Sequence, residues 1–109
     1  MASILVVLTS SPASPAGQRA LSVAESLVDQ GHVLTLCCLQ DAVLLGSDLS
    51  PHEDRASLDR LLDRGTRCVV LGEDLACRGL RRSERASAVD HAGIVALLSA
   101  EHDRVIGAF

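Results

Sequence analysis

The four cysteines are the most reactive side chains of this 109-residue sequence, and they stand at Cys37, Cys38, Cys68 and Cys77. Cys77 falls within a predicted short helix, Glu73–Arg78, and is followed directly by Arg78. More arginines follow at Arg81, Arg82 and Arg85. Nearby cations favour the thiolate, which is the nucleophilic form and the form that accepts sulfane sulfur. Cys77 is therefore a candidate nucleophile. The alternative is a packed cysteine that replaces alanine in the helix.

Cys37 and Cys38 lie near the end of a second predicted strand, Val33–Leu39, where the functional groups of parallel sheets gather. Side chains alternate along a strand, so the two thiols are expected on opposite faces and at most one faces any given cavity. Cys38 is the second candidate nucleophile, although core packing is the favoured interpretation for both residues. Cys68 lies at the start of a third strand and is expected to be structural.

No pattern in the sequence predicts a metal or a cofactor. The cysteines form no C-x2-C pair, and the four histidines keep no ligand-like spacing to them. The Pro/Ser-rich loop Ser10–Gly17 matches neither glycine-rich nucleotide motif, but its hydroxyls and amides would suit an anion at a helix N-terminus. A small-ligand or partner-binding module that uses this loop is therefore one alternative function. Asp90 beside His91 would suit acid/base chemistry, but the favoured role of Asp90 is the N-cap of the last helix.

The charge balance argues against nucleic-acid binding. All ten basic residues are arginines, the acidic residues number fourteen, and the net charge is −4. There is no Trp or Tyr, and Phe109 is the single Phe. A dedicated nucleic-acid module needs a basic face and aromatic stacking platforms. The arginines that follow Cys77 would suit an acidic partner or an RNA backbone, but a solvated loop is the favoured interpretation. We expect no direct contact with nucleic acid.

Short apolar runs alternate with segments of helical periodicity. The predicted strands are Ile4–Leu8, Val33–Leu39, Cys68–Leu71 and Arg104–Gly107, and the predicted helices are Gln18–Gln30, Glu53–Arg64, Glu73–Arg78 and Asp90–Glu101. Gln40–Pro51 is expected to form a short helical turn and a loop, and Arg81–Ala88 a polar loop. The alternation is typical of an α/β domain with a parallel sheet covered by helices on both faces. Functional groups would then gather in the loops that begin near Thr9, Leu39, Leu71 and Gly107.

The length suits one domain, 1–109, with a core of its own. No apolar run approaches the roughly 20 residues of a membrane-spanning helix. The first apolar run is very short and lacks the basic segment that precedes it in a signal peptide. We therefore expect a cytoplasmic protein with reduced thiols and no membrane contact.

Three segments resemble the small sulfur-relay proteins DsrH and TusB. Val70–Leu80 is similar to their V-L-x-x-D-L-x-x-R-G-[LF] element, and Leu39–Val43 to the L-Q-D-[GA]-V that follows their second strand. Val89–Leu97, followed by Glu101–Val105, resembles their closing segment. The first half looks more like the sister subunits DsrE and TusD. The fold implied by the resemblance is a three-layer α/β/α sandwich around a parallel sheet of four to five strands.

The resemblance also implies an assembly. In the family, DsrE, DsrF and DsrH, or TusD, TusC and TusB, form a heterohexamer that passes persulfide sulfur between carrier proteins. This serves tRNA 2-thiouridine modification in the Tus case and sulfur oxidation in the Dsr case. The sulfur-carrying cysteine of DsrE and TusD matches Leu71 here, and TusB-like subunits lack that cysteine too.

Several positions depart from the family pattern. Cys77 stands where the family usually has Ala, so no family role transfers to it. The cysteine that some DsrH proteins carry in their first helix has no counterpart in Leu21–Ala24. His91 and Ile94 replace common aromatics, and Phe109 takes the place of a terminal Trp. These departures suggest a divergent branch that assembles with itself.

The leading hypothesis is therefore an accessory or structural subunit of a sulfur-relay assembly, with no enzymatic activity of its own. The expected partners are copies of itself or DsrE/DsrF-like (TusD/TusC-like) subunits, together with sulfur-carrier proteins. The alternatives are a persulfide carrier that depends on Cys77, or less favourably on Cys38, and a non-catalytic binding module.

Overall fold

The computed structural model describes residues 2–100 and 102–107. Within these ranges five strands form one sheet: β1 (Ser3–Leu8), β2 (Val33–Cys38), β3 (Arg67–Leu71), β4 (Ser87–Val89) and β5 (Arg104–Ile106). The helices are α1 (Pro15–Asp29), α2 (His52–Asp63), α3 (Gly72–Cys77) and α4 (His91–Ser99), and a 3-10 helix (Gln40–Gly46) follows β2. The strand order is β4-β3-β2-β1-β5, and every neighbouring pair is parallel. The predicted α/β class with a parallel sheet is confirmed.

The larger part of the core lies on the face of the sheet covered by α1, α2 and the 3-10 helix. Alternate residues of the strands, such as Ile4, Leu36 and Val70, pack there against apolar residues of the helices. The helices contribute residues at helical spacing: Ala20, Leu21, Ala24, Val28, Leu58 and Leu61. The apolar residues whose spacing of three and four positions predicted these helices thus form the buried face of each helix.

The opposite face of the sheet carries a smaller cluster under α4. Leu5, Cys37, Val69 and Leu71 pack there with Ile94 of α4. A parallel sheet is normally covered on both faces, because its strands are apolar on both. The nine residues of α4 supply that second cover, and the result is the three-layer arrangement expected.

Two helix boundaries differ from the prediction by a few residues. Helix α1 begins at Pro15 instead of Gln18, because Ser14 caps it by accepting a hydrogen bond from the Gly17 N–H (3.0 Å). Proline is favoured at the first helical position, where its missing N–H would be unpaired in any case. Helix α4 ends at Ser99, and Glu101, the predicted end, lies outside the described residues.

The predicted polar loop Arg81–Ala88 is wrong at its end, because strand β4 begins at Ser87. Three residues are too few to show an alternating pattern, so the sequence alone carried no strand signal there. The strand forms because β3 offers an unpaired edge: Val69 lies opposite Ser87 and Leu71 opposite Val89.

The path from α3 to β4 is fixed by the end of the 3-10 helix. The Ser83 N–H donates to Gly46 O (2.9 Å) and the Asp48 N–H donates to Arg81 O (2.9 Å). Gly46 sits against the core, since a Cβ there would lie 2.6 Å from Cγ1 of Val70. Within the described residues, no helix is long and apolar enough to cross a membrane.

Candidate functional site

The carboxyl ends of β2 and β3 form the edge of the sheet where functional groups were expected. The 3-10 helix begins there after β2, and α3 begins there directly after β3. The polar residues on or next to these two helices include Gln40, Asp41, Asp74, Cys77 and Arg78, here called the carboxyl-edge cluster. The sequence analysis identified Cys77 and Arg78 as residues of interest. It did not predict the contacts that Gln40, Asp41 and Asp74 make.

Asp74 ties α3 to the end of β2. Its Oδ2 accepts a hydrogen bond from the backbone N–H of Gln40 at 2.7 Å. Gln40 has φ of +52°, the left-handed region that non-glycine residues rarely adopt. Such a conformation persists only when its surroundings hold it in place. The hydrogen bond to the Asp74 carboxylate is one such constraint, and it joins residues that are 34 positions apart in the sequence.

Arg78 makes the second connection between the same two elements. Its Nε donates to Asp41 Oδ1 (3.1 Å), and its Nη1 donates to the backbone oxygen of Asp74 (3.2 Å). Gly79 follows with φ of +65°, a conformation that glycine adopts without strain and that ends the helix. Two of the three segments that carry the family resemblance, those around Gln40 and around Asp74, are therefore in direct contact.

Cys77 is the last residue of α3, and its side chain is exposed. The competing interpretation, a cysteine packed in place of alanine, therefore does not describe it. Accessibility is what a thiol needs to meet another protein's persulfide. Exposure alone does not make a nucleophile, and the surrounding charges have to be considered.

Three of the four arginines around Cys77 are committed to other partners. Arg78 is paired as described above, and Arg82 donates to the backbone oxygens of Ser83 and Ala86 (3.3 and 3.1 Å). Arg85 binds Asp59 through two hydrogen bonds, at 2.5 and 3.2 Å, and holds the pKa of that carboxyl below its usual value. Three of these arginines therefore make structural contacts within the fold, a role that the expected solvated loop did not include.

Cys38 lies in the core, with its Sγ 4.0 Å from Sγ of Cys68. The hydrogen bond with Cys68 and complete burial raise the pKa of Cys38 well above its usual value. On the opposite face of the sheet, burial and then the proximity of Cys68 raise the pKa of Cys37 to about 11. At neutral pH both groups are thiols shielded from solvent, so the geometry favours Cys77 over Cys38 as the reactive residue.

The remaining candidates have structural partners. Asp90 caps α4 by accepting from the Gly93 N–H (2.8 Å), and His91 contacts Glu73 (2.5 Å) at the surface. In the loop Ser10–Gly17, Ser14 both caps α1 and donates to the Ser11 carbonyl (2.6 Å). Among the described residues, no group of three or more His, Cys, Asp or Glu side chains is placed to hold a metal ion.

Comparison with known proteins decides the family. The sequence model of the DsrH family, described as DsrH-like protein, matches residues 13–105. This chain belongs to the DsrH-like family. Proteins of this family are part of sulfur-relay systems. The crystal structure of the ychN protein from E. coli superposes with a TM-score of 0.81 at 22% identity, covering 99% of this chain and all of the other. No curated protein matches the sequence significantly.

In this DsrH-like chain, Leu71 occupies the position that the resemblance matched to the carrier cysteine of DsrE and TusD. Leu71 is buried at the carboxyl end of β3, where it packs in the cluster beneath α4. The terminal residue Phe109, matched to a terminal Trp, lies outside the described residues.

The family motif explains what sequence reasoning missed. In the D-L-x-x-R-G-L element, Asp74 and Arg78 make the cross-connections, and Leu75 is buried in the core. The i, i+4 spacing of Asp74 and Arg78 is visible in the sequence. Their hydrogen-bond partners are not, because Gln40 and Asp41 lie more than thirty residues away. The left-handed conformation of Gln40 has no signature in residue type.

Proposed function

We propose that this chain is an accessory subunit of a sulfur-relay assembly, one that organises its neighbours instead of carrying the sulfur. The observation that carries the proposal is the buried Leu71 at the end of β3, where the family's carriers present a thiol. A leucine cannot form a persulfide. The fixed contacts of Asp74 and Arg78 support a structural role for the rest of this edge.

The face of the molecule around α4 and β5 supports assembly. Val95 and Leu98 of α4 are 61% and 46% exposed, and Val105 of β5 is 55% exposed. Val105 is in register with Leu5, so it lies on the same side of the sheet as α4. A helix that is apolar nearly all round is normally buried by something. The proposed cover is another subunit, either a copy of this chain or a DsrE/DsrF-like chain.

The test is the mass of the protein in solution, alone and after mixing with DsrE/DsrF-like subunits. We expect a species larger than the monomer in at least one of the two samples. Leu98→Glu should dissociate it, because a carboxylate buried in an apolar interface is costly. Leu49→Glu is the matched control, since Leu49 is 67% exposed and lies outside this face. A wild-type monomer in both samples would overturn the assembly.

One alternative, a persulfide carrier that depends on Cys77, is favoured by a specific observation, the exposure of that residue. Such a carrier would take sulfur from a donor by thiol–persulfide exchange. In that reaction the Cys77 thiolate attacks the outer sulfur of a donor persulfide. The new S–S bond forms as the donor's S–S bond breaks, and the donor leaves as a thiolate. No redox partner is required, because sulfane sulfur passes from one thiol to the other.

The cellular setting is part of the proposal. We infer a cytoplasmic location, tRNA thiolation or sulfur oxidation as the process, and sulfur-carrier proteins as further partners. The family supports the general class of process. Co-purification with a carrier dedicated to one of the two processes would decide between them.

A further inference from the structure

A cavity of about 300 Å³ opens at the end of the sheet opposite the carboxyl-edge cluster. It lies between the end of α1 and the strands β1 and β5. Its apolar wall includes Ile4, Leu27 and Ile106, and its polar wall includes Gln30, His32 and Arg104. A volume of this size is at the lower end of the range for small-molecule sites.

The position of β5 creates this cavity. Arg104 is in register with Ile4, and Ile106 with Val6, so both side chains lie on the face of the sheet that α1 covers. Helix α1 packs over β1 and β2, and β5 is the outermost strand beyond them. Ile106 therefore remains only partly covered and forms an accessible apolar surface.

Two of the polar side chains of the cavity, His32 and Arg104, offer hydrogen-bond donors. Nδ1 of His32 accepts from the Ala2 N–H (3.2 Å), so its Nε2 carries the ring hydrogen and can donate. Arg104 has no ion pair within the described residues. The neighbouring Asp103 accepts from the Ser3 N–H (2.7 Å), and no carboxylate of residues 2–100 or 102–107 lines the cavity.

We propose that this cavity binds a small monocarboxylate with a short apolar chain. Arg104 supplies a cationic fork for the carboxylate, and Nε2 of His32 supplies a second donor beside it. The apolar chain would lie against Ile4, Leu27 and Ile106. This site is distinct from the proposed assembly surface, since Arg104 and Ile106 lie on the face of the sheet that α1 covers, whereas Val105 lies on the α4 side.

The test is a titration of the protein with the linear carboxylates from acetate to hexanoate, followed by NMR chemical shifts. Affinity should rise by about fourfold for each added methylene until the cavity is filled, the gain expected when one methylene leaves water. The matching amides, such as hexanamide, should bind about tenfold more weakly or worse, because they lack the charge that Arg104 recognises.

The matched variants are Arg104→Gln and Arg67→Gln. Both arginines are exposed at the start of a strand, but Arg67 is in register with Thr35 and does not line the cavity. We expect Arg104→Gln to weaken hexanoate binding by about tenfold or more and Arg67→Gln to leave it unchanged. Equal losses in the two variants, equal binding of the amide, or affinity independent of chain length would overturn the proposal.

Discussion

At the scale of single residues, the thiols divide into one exposed group and three buried ones. Cys37, Cys38 and Cys68 fill space in the two core clusters, as small apolar side chains do. The raised pKa of Cys37 and of Cys38 keeps both protonated at neutral pH. Only Cys77 is accessible among the four. Any sulfur chemistry of the folded chain therefore depends on this residue, which has no counterpart in the family pattern.

Gly46 gives a prediction at the same scale. A Cβ at this position would lie 2.6 Å from Cγ1 of Val70 and 2.9 Å from Cβ of Ala86. Replacing glycine by alanine normally stabilises a protein slightly, through the entropy of the unfolded chain. Here the overlap in the core outweighs that gain, and Gly46→Ala should lower the free energy of unfolding by about 1 to 3 kcal/mol.

Urea unfolding followed by circular dichroism measures this effect. Gly72→Ala is the matched control, since the nearest atom to its added Cβ is Val89 O at 3.6 Å, an ordinary contact. If Gly46→Ala were as stable as Gly72→Ala, the close packing between the 3-10 helix and β3 would be incorrect.

At the scale of elements, α3 is held to the end of β2 by polar contacts as well as by Leu75. We predict that Asp74→Ala lowers the free energy of unfolding by about 1.5 to 3 kcal/mol, the range for a hydrogen bond to a charged group. It should also speed hydrogen exchange of the Gln40 amide, which loses its acceptor. Asp41→Ala removes only a surface ion pair to Arg78 and should cost about 1 kcal/mol or less. Unchanged Gln40 exchange in Asp74→Ala would contradict this connection.

The sequence predicted the elements whose apolar pattern is long. β1, β2, β3 and the helices α1 and α2 follow runs of Val, Ile and Leu or repeats at helical spacing, because burial on one or two faces imposes those periods. Strand β4 could not be predicted, since Ser87–Val89 depends on the edge of β3 and not on its own residues. The contacts of Gln40 with Asp74 and of Asp41 with Arg78 were also out of reach, because tertiary folding alone brings them together.

At the scale of the whole molecule, the two sides of the sheet are unequal. Within the part of the chain that the structure describes, one side is covered by α1, α2 and the 3-10 helix. The other is covered by α4, which leaves Val95, Leu98 and Val105 exposed. An unequal cover of this kind fits a subunit whose second layer is completed by a neighbour. At the carboxyl edge, Leu71 is buried, and Asp74 and Arg78 form hydrogen bonds to the segment after β2. These features agree with the proposed accessory role, because no thiol stands at the position of Leu71.

The most direct test of this account is the intact mass of the protein after incubation with a small-molecule persulfide donor and removal of the donor. Glutathione, treated in parallel, shows that the donor is active. The account predicts that the exposed Cys77 of the wild type gains sulfur no faster than glutathione does under the same conditions. A stoichiometric gain of one sulfur atom that is much faster than that of glutathione, persists in Cys38→Ser and disappears in Cys77→Ser would contradict it and make this chain a carrier.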